Sequence, residues 1–175
     1  MNYNIYTDGC LNAIGFGESV VILDEKEQNL IAIHNSYQIT PVSDMPSTNN
    51  REELKAILNA VNYIKEKSNK EDFYNIFSDS NYAVKSITEW MLKWHENSWI
   101  NSQKKPVENK DLMLKLYYAI YGDNSKKKNY KINWIKGHNN YIGNELADAI
   151  ATRNAKKFKK LLIENNINYT KAEIF

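Results

Sequence analysis

The hydrophobic period of this chain changes in an order that few folds can satisfy. Tyr3 and Ile5 alternate with polar neighbours up to Thr7, Phe16 to Leu23 is rich in β-branched residues, and Leu30 to Tyr37 alternates again. Three strands therefore come first. The link from Asp24 to Asn29 is short and polar, as an antiparallel hairpin requires. Leu54, Ile57, Leu58, Val61 and Ile64 then recur at helical spacing behind Ser47, Thr48, Asn49 and Asn50, all good capping residues, so a first helix opens near Asn50. Phe73 to Phe77 reads as a short strand, and Tyr82, Val84, Ile87, Met91 and Trp94 fall on a second helix opening near Asn81. A polar and aromatic stretch from Trp94 to Val107, containing Pro106, precedes a further helix with Leu112, Leu116, Tyr117 and Ile120. The last strand runs from Tyr130 to Ile135, and a final helix begins near Gly143 and continues into the lysines after Arg153.

Consecutive strands make an antiparallel meander, whereas strands separated by helices join a sheet in parallel through right-handed crossovers. The expected architecture is α/β: a mixed five-stranded sheet, its first three strands antiparallel, with helices on both faces. The chain has 175 residues, no internal repeat and no dividing linker, which predicts a single domain.

Composition removes several function classes. A hydrophobic fraction of 42% with 25% charged residues belongs to a globular chain and excludes a disordered one. The single Cys10 cannot form an intramolecular disulfide, and His34, His95 and His138 are too scattered for a zinc site. The N-terminus lacks the basic and apolar segments of a signal peptide, and Val20 to Leu23 is too short to cross a bilayer. These features predict an intracellular, cytoplasmic protein with no membrane partner. Net charge is only +2, but lysines gather at Lys104 and Lys105, at Lys126 to Lys128, and from Lys156 through Lys160. The Lys126 to Lys128 run reads as a solvated loop tip.

Four acids stand out against this frame. Asp8 ends the first strand and Asp79 the fourth, the place where open α/β sheets bind ligands. On the first helix only one of Glu52 and Glu53 can face inward. At about 100° per residue the apolar positions centre roughly 75° from Glu53 and roughly 175° from Glu52, which predicts Glu53 at the buried border and Glu52 in solvent. Asp148 lies in the first turns of the last helix, two positions after Leu146, where it can approach the sheet from the side. Each has a plain alternative: a turn or cap residue for Asp8 and Asp79, a helix N-terminal carboxylate for Glu53 and for Glu145. Brought together, the four would repel one another and need a cation, shared protons or strong hydrogen bonds.

The flanking residues decide between these readings. Tyr6-Thr7-Asp8-Gly9, Thr48-Asn49-Asn50-Arg51-Glu52-Glu53-Leu54, Ser78-Asp79-Ser80, Trp90 with Trp94, Lys105-Pro106-Val107-Glu108-Asn109, Trp134-Ile135-Lys136-Gly137-His138 and Gly143-Asn144-Glu145-Leu146-Ala147-Asp148 follow one another along residues 6 to about 150. In this order they resemble type 1 ribonuclease H, which cuts the RNA strand of RNA/DNA hybrids. The resemblance implies a ribonuclease H-like fold in which Asp8, Glu53, Asp79 and Asp148 are catalytic carboxylates holding two Mg²⁺ ions, with Mn²⁺ able to substitute. Asp8 would bridge both ions, Glu53 and Asp79 would hold the first and Asp148 the second, and cleavage would leave a 5′-phosphate and a 3′-hydroxyl. His138 is implied on a mobile loop beside the site, where it would shuttle a proton or help product leave.

The same resemblance implies the substrate contacts. The Gly9 and Cys10 backbone, Asn49, Glu53 and Asn81 would read the RNA 2′-hydroxyls; Thr48 and Asn50 would hold the DNA strand, Thr48 through a phosphate; Trp90 and Trp94, with Lys104 and Lys105 beyond them, would grip the DNA backbone. Trp90 and Trp94, four apart on a helix, also fit ordinary core positions. Departures are expected to matter: Leu11-Asn12-Ala13-Ile14-Gly15 is compact where the family carries a longer loop with a phosphate or sugar contact, His95, Glu96 and Glu108 stand where basic residues often occur, and Met113 where an aromatic is common. A separate hybrid-binding domain before Met1 is not expected, and the enzyme is expected to act as a monomer. Residues from about 155 to 175 extend the last helix past the family pattern, with the lysines on a solvated face. A DNA-cutting resolvase or transposase relative and a non-catalytic hybrid-binding module are the alternative function classes.

Overall fold

The computed structural model describes residues 1–123 and 128–175. Strand β1 (Asn2–Asn12) pairs antiparallel with β2 (Gly15–Asp24), which pairs antiparallel with β3 (Leu30–Ile39). Helix α1 (Asn49–Lys67) crosses to β4 (Phe73–Ser78), which lies parallel to β1 on its other side. Helix α2 (Asn81–Lys85), a π turn over Ser86–Trp90 and α3 (Met91–Glu96) make one unbroken helical run. Helix α4 (Lys110–Tyr121) precedes β5 (Tyr130–Trp134), parallel to β4, and α5 (Ile142–Ala151) follows. The chain closes with α6 (Ala155–Glu164) and β6 (Glu173–Ile174), giving a sheet of order β5-β4-β1-β2-β3-β6.

Strand alternation divides the apolar side chains between two cores. Ile5, Val20, Ile22 and Ala32 pack with Leu54, Ile57, Val61, Met113 and Leu116 of α1 and α4. Tyr6, Val21 and Leu23, one residue out of phase, pack with Leu146, Ala147 and Ile150 of α5 and with Leu162 of α6. Each fully buried aliphatic side chain contributes roughly 1.5–3 kcal/mol, so these two layers fix the sheet between its helices. Met113, standing in place of an aromatic, is fully buried in the first core. Among the described residues no helix is long and apolar enough to cross a membrane.

The fold departs from the sequence expectations in four places. The sheet has a sixth strand, because the chain after α6 docks along the free edge of β3: Asn168 exchanges backbone hydrogen bonds with Leu30 and Gln28 at 2.8 Å, and the Phe175 ring lies 4.4 Å from Tyr63. A two-residue strand has no period of its own, so only its partner defines it. The last helix is not continuous into the lysines. Arg153 adopts φ 58°, which a helix cannot carry, and Asn154 caps a new helix by accepting from the Lys157 amide.

Asp8 does not end the first strand. Pairing with β2 continues four residues beyond it to Asn12, where Asn12 Oδ1 accepts from the Ile14 and Gly15 amides and from the Tyr37 hydroxyl. Finally, Glu52 is buried rather than solvent-facing: the segment before α1 folds over it, Ser47 hydrogen-bonds to it, and Lys55 Nζ lies 2.7 Å away. Helix periodicity locates the α1 core face but cannot see a preceding loop that covers the other side. Of the Lys126 to Lys128 run, Lys126 and Lys127 lie outside the described residues, while the exposed Lys128 sits 3.7 Å over the Tyr121 ring.

The docked tail adds a titratable group. His34 on β3 lies 3.4 Å from the buried Glu18 carboxylate and 2.5 Å from the Phe175 carbonyl oxygen. The hydrogen bond to Glu18 raises the imidazole above its ordinary 6.5, against burial, with the Phe175 contact helping. A base favoured in its charged form stabilises the fold fully below pH 6.5, and this contribution is lost as pH rises through the raised value. Thermal unfolding of His34→Gln is therefore expected to differ most from the parent at mildly acidic pH and to converge towards it as pH rises through the raised value; a constant difference across pH would refute the linkage.

Candidate active site

Parallel pairing of β1 with β4 ends at Thr7 opposite Ser78, so the next residues, Asp8 and Asp79, emerge side by side. The third acid is delivered by a close backbone approach. Gly9 presses against the first turns of α1, where a methyl group would overlap the Glu53 amide nitrogen and the Glu52 carbonyl carbon. Only glycine permits that contact. Thr48 caps α1 by accepting from the Arg51 amide at 3.2 Å, and Asn49 Oδ1 accepts from the Leu11 amide at 2.8 Å, tying the helix start to β1. Asp8, Glu53 and Asp79 each offer a carboxylate oxygen, and the three oxygens lie within 4.8 Å of one another.

The electrostatic consequence is large. Burial raises the Asp8 carboxyl from 3.8 to about 8, and the charges of Asp79 and Asp148 add to it. Burial likewise raises Glu53, with Asp8 and Asp79 contributing. Among the described residues, none of the three acids takes part in an ion pair, and Glu53 Oε2 is buried without a hydrogen-bond partner. An all-oxygen donor set with an unpartnered buried oxygen fits a hard divalent cation.

Asp148 belongs to the same region but not to that tight cluster. Helix α5 is seated by Gly143, whose Cα lies directly against the Tyr6 ring so that any side chain would overlap it, and by the Ser19 hydroxyl, which donates to the Ala147 carbonyl at 2.7 Å. Asp148 is near enough for its charge to raise Asp8, yet its Oδ2 accepts from Lys157 Nζ at 3.3 Å. Lys157 also lies 3.4 Å from Glu145, which stands in the first turn of α5 as expected for a helix N-terminal carboxylate. His138 has φ 54° and a side chain 76% exposed, with Nδ1 3.9 Å from Glu145 Oε1.

Two residues of this site escape residue-by-residue reading. Asn144, 3% exposed, donates to Asp79 Oδ2 at 3.2 Å and accepts from the His138 amide at 3.4 Å, joining an acid to the loop. Its only sequence signal is its place in Gly143-Asn144-Glu145. Lys157 belongs to the run expected on a solvated face, but it is half-buried against Asp148 and Glu145 of the preceding helix, partners that the run itself does not reveal.

The expected substrate contacts divide by what already occupies them. Thr48 and Asn49 use side-chain oxygens in the caps described above, and Asn12 is spent on its turn, so the compact loop offers no free Asn12 acceptor. Gly9 and Cys10 are partly accessible on β1, Asn50 is half-buried at the start of α1, and Asn81 is exposed at the start of α2. Trp90, 37% exposed, and the half-buried Trp94 form an aromatic pair with centroids 5.8 Å apart; Trp99 is the buried tryptophan behind them. Lys104 and Lys105 are exposed on a tight loop closed by backbone hydrogen bonds to Asn101. Arg51 pairs with both Asp111 oxygens and reaches Asn109, anchoring the segment after this loop to α1.

The sequence profile described as RNase H matches residues 1–156. The chain belongs to the ribonuclease H family. Ribonuclease HI of Pasteurella multocida is 36% identical over 153 residues, covering 87% of this chain and 88% of the relative. Ribonuclease H of Orientia tsutsugamushi is 36% identical over 168 residues, covering 95% and 89%. Among solved structures, the type 1 enzyme LC9-RNase H1 superposes with a TM-score of 0.66 at 18% identity, covering 97% of this chain and 87% of that one, and LC11-RNase H1 in complex with RNA/DNA hybrid gives 0.57 at 20%, covering 86% and 94%. At those identities the structures establish the shared ribonuclease H fold alone.

The cluster makes a prediction about the metal-free protein. A carboxyl raised in the folded state binds a proton that the unfolded chain has released, so stability falls as pH rises from 3.8 to about 8. In EDTA the unfolding midpoint is expected to drop across this window, and Asp8→Asn to remove its share of the drop, the buried Glu53 supplying the rest. An Asp8→Asn protein with the parent's pH profile would contradict the assigned burial.

Proposed function

We propose that this chain is an endoribonuclease that hydrolyses the RNA strand of RNA/DNA hybrids, leaving 5′-phosphate and 3′-hydroxyl ends. The observation that carries the reading is the convergence of Asp8, Glu53 and Asp79 in a carboxylate cluster without a basic partner among the described residues, where the parallel pairing of β1 with β4 ends, in a ribonuclease H chain. The named relatives are ribonucleases H, and a structural neighbour is held in complex with RNA/DNA hybrid.

Asp8, Glu53 and Asp79 would hold divalent cations, Mg²⁺ by the all-oxygen character of the site with Mn²⁺ as substitute, and Asp148 would complete a place for the second ion. When bound, such a pair of ions lowers the pKa of an attacking water and stabilises the leaving oxygen of an in-line phosphoryl transfer. The residues of the chain do the positioning. Asn144 fixes Asp79 through the 3.2 Å hydrogen bond. His138, on an exposed loop, would carry a proton or help product leave. The Gly9 and Cys10 backbone, Asn49, Glu53 and Asn81 would read the 2′-hydroxyls, which separate RNA from DNA. Thr48, Asn50, Trp90, Trp94, Lys104 and Lys105 would bind the DNA strand through phosphates and sugars. We propose that the enzyme acts in the cytoplasm as a monomer.

One assay discriminates among the function classes. Incubated with Mg²⁺ and labelled substrates, the protein is expected to cut RNA in the hybrid and to leave RNA duplex and DNA duplex intact; nicking of DNA duplex would point to a resolvase-type enzyme, and no cleavage to a binding module. Asp79→Asn is expected to abolish turnover while retaining the fold and hybrid affinity, measured by circular dichroism and fluorescence anisotropy, and a melted or non-binding variant would count against the assignment. Hybrid affinity should fall steeply with salt. Replacing both Lys104 and Lys105 by Ala should reduce the log–log salt slope by about one per lysine, and an unchanged slope would remove them from the interface.

A further inference from the structure

Lys157 sits one residue past the stretch matched by the family profile, yet its ammonium reaches the edge of the carboxylate site. Nζ lies 3.3 Å from Asp148 Oδ2 and 3.4 Å from Glu145 Oε2, so two acids one turn apart on α5 share a single cation. The position is built in. The Asn154 amide donates to the Ala149 carbonyl at 2.7 Å, turning the chain back, and Asn154 Oδ1 caps α6 at the Lys157 amide itself. Leu162 and Ile167 are buried in the same core as Leu146 and Ile150, so α6 cannot swing away without exposing apolar surface. The ammonium itself is free to move. Its side chain is 37% exposed and ends a flexible four-carbon stem.

Asp148 thereby differs from the other three acids, which take part in no ion pair among the described residues. An ammonium and a divalent cation repel one another and cannot both sit against the same carboxylate oxygen without cost. We infer that Lys157 is an intramolecular competitor for the divalent cation at Asp148. It holds this carboxylate until an ion displaces it, and so sets the ion concentration at which the complete site assembles. The inference rests on the proposed role of Asp148 as a metal ligand. Because α6 places Lys157 on Asp148 and not on Asp8, Glu53 or Asp79, the effect is confined to the weaker of two binding steps.

Isothermal titration of the full metal-free chain with Mn²⁺ tests this directly. Lys157→Met is expected to tighten the weaker step by about threefold or more, the factor by which a partly exposed ion pair withholds its carboxylate, and to leave the tighter step unchanged. Lys157→Arg, which keeps the charge, should stay near the parent. Asp148→Asn should abolish the weaker step, and unfolding midpoints in EDTA establish that every variant is folded. If Lys157→Met leaves both steps as in the parent while Asp148→Asn still removes the weaker one, Lys157 is only a tether for α6 and the inference falls while the functional reading stands. If Asp148→Asn leaves both steps in place, Asp148 is no ligand, and the inference falls together with that part of the functional reading.

Discussion

Three carboxylates held together, two of them buried, are the constraint to which the rest of the molecule answers. Left alone, these side chains would separate or draw in basic partners, since desolvation and the neighbouring charges both oppose the ionised forms of Asp8 and Glu53. They stay because the scaffold leaves them no alternative. Asp8 and Asp79 are fixed by the parallel register of β1 with β4, which lies between the two cores, and Glu53 by the contact of Gly9 with the first turns of α1. Folding free energy from the two apolar layers is thus partly stored in a site whose repulsion a cation relieves. Structures keep such strain where function requires it.

Around that centre the polar groups are distributed so as not to neutralise it. Ser47 and Lys55 satisfy Glu52, the immediate neighbour of Glu53, while Glu53 Oε2 goes unpartnered. Arg51, the nearest guanidinium along α1, is committed to Asp111 and Asn109. Asn144 orients Asp79 with a neutral donor, which positions the oxygen without adding charge. Of the four acids, Asp148 is the one that meets an ammonium among the described residues, supplied by a helix that the second core holds in place.

Much of this was legible in the sequence, and the limits are physical. The order of strands and helices followed from changes in hydrophobic period, since Ile5/Tyr6 and Ile22/Leu23 send alternate side chains to different cores. Asp8, Glu53 and Asp79 are legible because each carries flanks that resemble one family. What period cannot report is anything set by a distant partner. The two residues of β6 are a strand only because β3 has a free edge. Glu52 is buried only because Ser47 folds over it, and α6 is separate only because Arg153 takes a left-handed turn in a Thr-Arg-Asn stretch with no glycine or proline to mark it. Lys157 combines both blind spots, since its helix and its partner are each defined by long-range packing.

The central claim, that the clustered acids form one cation site, is most directly tested by anomalous scattering from crystals soaked in Mn²⁺. The account predicts density bridging the carboxylates of Asp8, Glu53 and Asp79, with a second peak at Asp148. Mn²⁺ bound elsewhere while these three carboxylates retain only water would contradict it.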